Sequence, residues 1–350
     1  MKSHISLTLG IILLASSAAI AAAESSSHAP RFGVLPLVAD QAGIAPNTDT
    51  DLVNPFGIAH GSAGPLWVSD NATGKSTLYD RNSGKKQSLV VSIPGGAPTG
   101  IAFVPAGSGF PVRANGNADS AIFVFATETG AIEGWSPKVD PNNAIVAVPS
   151  VSSGSAYKGL AIDPASKRLF ATNFVANRVE IFDNNFARIG AFTDATLPKN
   201  FAPFDVAILN GKVFVTFAKR EKNGIDDVDG KGLGYVDVFD VDGGLQQHLI
   251  ANGDLNAPWG LTIAPSGFGN LGGALLVGNF GDGRIHAYDA NTGDEIGALK
   301  GLNGKPLVIG GLWSLDAGPD SKVTFSAGSH DEKHGMLGLI ALDGGTAAPH

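Results

Sequence analysis

The chain has 350 residues and a formal net charge of −8, with 24 basic against 32 acidic residues and no long basic run. That balance argues against a phosphate-backbone footprint, and so against nucleic acid as a partner. The absence of cysteine excludes disulfides, a cysteine-linked lipid anchor and cysteine-attached haem, and 47 glycines with only 16% charged residues suit many short buried strands rather than long amphipathic helices.

In chain order, Lys2 and His4 precede an apolar run from Ile5 to Ile20 that ends in small residues, with Ala19-Ile20-Ala21 or Ala21-Ala22-Ala23 as a cleavage pattern. This is a signal-peptide layout over residues 1–23, too short for the roughly 20 apolar residues of a membrane span and followed by no basic stop-transfer cluster. The expectation is a secreted or periplasmic protein, free of the membrane after cleavage, with one domain over 24–350. The next segment, VLPLV at 34–38, reads as a strand that precedes any repeat.

Six repeats follow, each opened by a short phrase: NPFGIA at 54–59, APTGIA at 97–102, AYKGLA at 156–161, APFDVA at 202–207, APWGLT at 257–262 and GLWSLD at 311–316. The fourth residues of these phrases, Gly57, Gly100, Gly159, Asp205, Gly260 and Ser314, are 43, 59, 46, 55 and 54 residues apart, which is the spacing of propeller blades. After each opening come a second strand (LWVSD at 66–70, LFATN at 169–173, LLVGN at 275–279) and a third (STLYD at 76–80, VEIFD at 179–183, IHAYD at 285–289). Fourth strands are visible at 88–93, 144–148, 188–192, 246–250 and 295–299. The sixth unit lacks one. The pattern therefore predicts an all-β, six-bladed propeller of four-stranded blades, closed by the strand at 34–38 pairing near Leu339 to Leu342, which removes the free edges of a linear array. A β-sandwich or two β domains is the alternative.

The units LFATNFVANRVEIFD (169–183) and LLVGNFGDGRIHAYD (275–289) resemble NHL-type propeller repeats. At a finer level the chain resembles an uncharacterised family of secreted bacterial and fungal six-bladed propellers. The likeness is carried by GAIEGWSP (130–137), GYVDVFD (234–240), APWGLTIAPSGFGNLGGALLVGNFGDGRIHAYD (257–289), GGLWSL (310–315) and AGSHDEKHGMLG (327–338). The resemblance implies a fold and a secretory habit, and no reaction.

Candidate site residues follow from register. The position before the repeated glycine holds Phe56, Thr99, Lys158, Phe204, Trp259 and Trp313. Around the axis these would form an aromatic channel mouth with Lys158 on its rim, suited to a small molecule or a protein loop; the same rings could instead plug the axis as core. On the same face, the loop Lys219 to Gly234 carries Asp226, Asp227 and Asp229, whose hard oxygens would suit calcium although the spacing is not that of an EF-hand. The turn SHDEKHG brings Glu332 and His334 close enough in sequence to act as base and electrophile. No Gly-x-Ser-x-Gly, His-Glu-x-x-His or Walker-type loop is present. A binding propeller is the expectation, with a metal-assisted hydrolase, lactonase or lyase on the same face as the second reading.

Overall fold

Short alternating strands separated by Gly, Asn and Asp turns can bury both faces only if the sheets they form pack against one another. The computed structural model describes residues 30–150, 154–222 and 224–342, and it shows six antiparallel blades arranged in a ring. The segment read as a signal peptide lies outside the described residues.

Blade 1 is built from Pro55–Ala59, Leu66–Asp70, Lys75–Tyr79 and Lys86–Ser92, and blade 2 from Pro98–Phe103, Phe123–Thr127, Ile132–Trp135 and Ile145–Val148. Blade 3 comprises Tyr157–Asp163, Arg168–Asn173, Arg178–Phe182 and Arg188–Phe192; blade 4 comprises Phe201–Leu209, Lys212–Lys219, Gly234–Phe239 and Leu245–Ala251. Blade 5 holds Pro258–Ile263, Leu275–Asn279, Ile285–Tyr288 and Glu295–Ala298. Blade 6 takes three strands from the C-terminal end, Leu312–Ala317, Val323–Ala327 and Met336–Leu342, and its fourth, Phe32–Ala39, from the N-terminal end. The closing pair runs antiparallel, with Val34 opposite Ile340 and Leu35 opposite Leu339, and a bulge after Pro36 shifts the register so that Val38 faces Leu337. Asn47–Thr48 adds a short parallel fifth strand.

The core divides into layers between blades. Phe170, Val206, Val215 and Phe239 fill the layer between blades 3 and 4, and Leu276, Leu312, Phe325 and Phe32 the layer between blades 5 and 6. Ring closure has a polar lock as well: Lys86 Nζ reaches Asp49 at 2.8 Å and Asp51 at 2.9 Å, and the Tyr79 hydroxyl donates to Asp49 at 2.6 Å. The longest repeat step has a simple cause. Blade 2 carries an inserted hairpin, Pro111–Ala114 with Asn117–Ser120, between its first and second strands; Val112 covers Gly134, and Phe110 meets Phe186 of blade 3 with ring centroids 5.3 Å apart. Among the described residues no helix is long and apolar enough to cross a membrane.

Candidate functional site

Each innermost strand has a sheet partner on one side only, so its other edge faces the axis. The repeated glycine marks where these strands come closest. A Cβ on Gly57 would stand 2.7 Å from the Thr99 carbonyl oxygen, one on Gly100 2.5 Å from Leu160 N, and one on Gly260 2.7 Å from the Trp313 carbonyl oxygen. The axis is thus narrowest at this level, and the side chains one residue earlier are forced together.

Those side chains are Phe56, Phe204, Trp259 and Trp313, and the structure does bring them into one cluster, with Phe174 and Phe280 added from the turns after second strands. Phe56 stacks on Trp313 at 3.7 Å between ring centroids, and Phe280 stacks on Trp313 at 4.0 Å. The expectation of a solvent-reachable aromatic mouth is overturned: all four are at most 3% exposed, because six strands converging at the glycine level leave room for interlocking rings but not for water. They close the axis. Lys158 is likewise buried rather than on a rim; its ammonium pairs with Glu128 and lies 5.7 Å from the Phe56 ring centroid.

A polar layer covers the plug. Asn54 accepts a 3.0 Å hydrogen bond from Trp313 Nε1 and donates one of 2.6 Å to Glu332, while Asn71 donates to Glu128 at 3.1 Å. Glu332 belongs to a left-handed turn in which His330, Asp331 and Glu332 all have φ between 54° and 61°. Burial pushes its carboxyl up, opposed by the Asn54 hydrogen bond. His334 turns elsewhere: Nδ1 bonds Asp40 at 2.8 Å and Nε2 meets Gln41 at 3.0 Å, which ties the turn to the closing strand. Glu332 and His334 are therefore committed to different elements and do not form a base–electrophile pair.

The acidic loop divides similarly. Asp227 is drawn inward, where burial and then Asp229 push its carboxyl up to about 7, while Asp226 contributes its charge towards Glu332. The places among the described residues where three metal-ligating side chains converge within 4.8 Å do not include Asp226, Asp227 and Asp229.

Below the plug the axis opens into a cavity of about 400 Å³, lined by Gly57 to His60, Gly100 to Phe103, Leu160 to Ile162, Asp205 to Leu209 and Ser314 to Asp316. Half-exposed residues such as His60, Phe103 and Asp316 sit at the C-terminal ends of the innermost strands, so the cavity opens on the face opposite the plug. Its inner end carries two unusual groups. Asp205 replaces the repeated glycine in blade 4, and burial pushes its carboxyl well above the usual carboxylate range. Trp259, which also lines the cavity, has a buried Nε1–H with no hydrogen-bond partner, unlike Trp313. At the mouth, His60 Nε2 lies 3.0 Å from Asp316 and 3.2 Å from Arg81; the hydrogen bond with Asp316 raises the imidazole, against its burial. The signal that could have found the cavity was the exception at Asp205, a charged residue at a position otherwise held by glycine or serine.

The fold and axial cavity define the class as a six-bladed β-propeller with one end of its channel sealed. No family model matches the chain. It is 32% identical over 323 residues to "Uncharacterized protein L690" of Acanthamoeba polyphaga mimivirus, spanning 88% of this chain and 85% of that protein. "Uncharacterized protein R648" of the same virus is 29% identical over 322 residues, 88% of this chain and 79% of the relative. The chain belongs to the propeller family of these mimivirus proteins. Among solved structures, a streptogramin B lyase superimposes with a TM-score of 0.53 at 13% identity, covering 90% of this chain and 98% of that one. A nidogen–laminin complex gives 0.50 at 16% identity, covering 73% and 82%. These likenesses show the fold alone.

Proposed function

We propose that the protein binds a small molecule end-on in the axial cavity, entering from the face that carries His60 and Asp316. The observation that carries this reading is the axial cavity itself, with the Asp205 carboxyl and the Trp259 indole at its inner end. A volume of about 400 Å³ lies within the range of small-molecule sites and is too small for a folded partner. The unpaired edges of six innermost strands add further backbone donors and acceptors, which favours a polar ligand with oxygen acceptors at its leading end.

The test is a thermal-shift panel of polyols, sugars, hydroxy acids and nucleosides on the wild type and on Asp205→Ser, a residue the chain itself places at this position in blade 6 as Ser314. At least one class is expected to raise the wild-type melting temperature and to lose half or more of that shift in the variant. Ligands that stabilise both forms equally, or no stabilising class at all, would contradict the reading. The signal-peptide reading of residues 1–23 makes that ligand an extracytoplasmic one, and mass measurement of the natively produced protein, expected to start near Glu24, checks it.

A further inference from the structure

The middle of the third strand holds a polar side chain in five of six blades: Thr77, Glu133, Glu180, Asp237 and His286, each opposite the same second-strand position. In blade 6 the position is Gly338. Most of these groups have dedicated donors. Glu133 accepts from Gly95 N–H, and Glu180 accepts from Tyr157 at 2.7 Å and Arg178 at 2.7 Å. Asp237 differs. Its nearest groups are His248, directly across on the fourth strand, and Asp194, from the linker between blades 3 and 4.

We infer that Asp194, Asp237 and His248 form a divalent transition-metal site, best suited to Zn²⁺. Both aspartate side chains are 1% exposed; Asp237 Oδ2 is buried without a hydrogen-bond donor, and Asp194 Oδ2 faces His248 Nδ1 and the Asp237 carboxyl. Asp194 Oδ1 is occupied by Thr196, through N–H at 2.8 Å and Oγ1 at 2.7 Å, which fixes the carboxylate and leaves Oδ2 directed to the cluster. Among the described residues no Lys or Arg pairs with either carboxylate; the basic side chain beside them is the His248 imidazole. Two buried acidic side chains with only an imidazole beside them are costly to hold ionised, and such groups are expected to be paired, to share a proton or to coordinate metal.

The spacing agrees. His248 Nδ1 lies 3.2 Å from Asp194 Oδ2 and 3.2 Å from Asp237 Oδ1. Ligands held at about 2.0–2.1 Å from a tetrahedral centre are roughly 3.3 Å apart. An imidazole with two carboxylates matches the preferences of zinc rather than calcium. His248 is half exposed, so the cluster lies at the edge of the blade rather than deep in the core. A second cluster one blade on, Asp254, His286 and Glu295, already has a cation, since Lys231 pairs with Asp254. A metal at the first cluster would pin the linker from blade 3 to the outer strands of blade 4.

The experiment is calorimetric Zn²⁺ titration and thermal melting of the EDTA-stripped protein, for wild type and His248→Gln. Wild type is expected to take up one more equivalent than the variant, or to bind that equivalent at least tenfold more tightly, and Zn²⁺ is expected to raise its melting temperature and not the variant's. Equal uptake and equal shifts in the two proteins would overturn the inference. Should His248→Gln melt below the wild type in EDTA, Asp194→Asn is the deciding variant, read by the same two measurements.

Discussion

Gly57, Gly100, Gly159 and Gly260 are held by contact with the next blade rather than by a special backbone conformation, since each would place a Cβ against the neighbouring innermost strand. For Gly159 the obstacle is the Asp205 Cα, 2.6 Å away. Gly159→Ala is therefore expected to destabilise the fold by about 2 kcal/mol or more through overpacking, while an exposed control such as Gly211→Ala pays only for its positive φ of 73°; equal costs by urea unfolding would contradict this. Glu133 gives a second test at this scale. Burial pushes its carboxyl up from 4.5 to about 7, against the Gly95 N–H. The folded form thus binds the proton more tightly than the unfolded form, and its contribution is full below pH 4.5 and is lost as pH rises to about 7. Glu133→Gln should raise stability at pH 8, on the order of 2 kcal/mol, and change little at pH 4.5. A pH-independent effect would contradict the assignment.

Among elements, the strand Phe32–Ala39 matters most, because it completes the last blade by pairing along the whole of Met336–Leu342. Its loss would expose Leu337 and Leu339 and strip the ladder from Met336–Leu342. Deleting residues 24–40 should abolish or sharply lower the cooperative thermal transition, and an unchanged transition would show that the ring closes without it. This strand was legible in the sequence because it is an apolar run outside the repeats while the last repeat is one strand short. The blade 2 hairpin was not: Pro111–Ala114 and Asn117–Ser120 lack the repeat's alternation, and only the long step of 59 residues hinted at an insertion. The repeat register did place Phe56, Phe204, Trp259 and Trp313 together, as found, but register carries no information on depth. That is set by how closely neighbouring blades approach at the glycines. Likewise, proximity in sequence joined Glu332 to His334, whereas a left-handed turn sends them to Asn54 and to Asp40.

At the scale of the molecule, two ends of one axis have opposite character. One is sealed by aromatic rings beneath the layer of Asn54, Glu128, Lys158 and Glu332, and the other opens into the cavity that ends at Asp205 and Trp259. Because the chain has no cysteine, a single engineered thiol reports the access of each end without background. Ser314 lines the cavity, and Thr99, at the level of the plug, is fully buried; cysteine is close in size to both. The most direct measurement is the native-state labelling rate of Ser314→Cys and Thr99→Cys by a small methanethiosulfonate reagent. The cavity account expects Ser314→Cys to react at least a hundredfold faster than Thr99→Cys, and to slow when a stabilising ligand is bound. Equal rates, or a Ser314→Cys thiol that reacts only as fast as the protein unfolds, would contradict it.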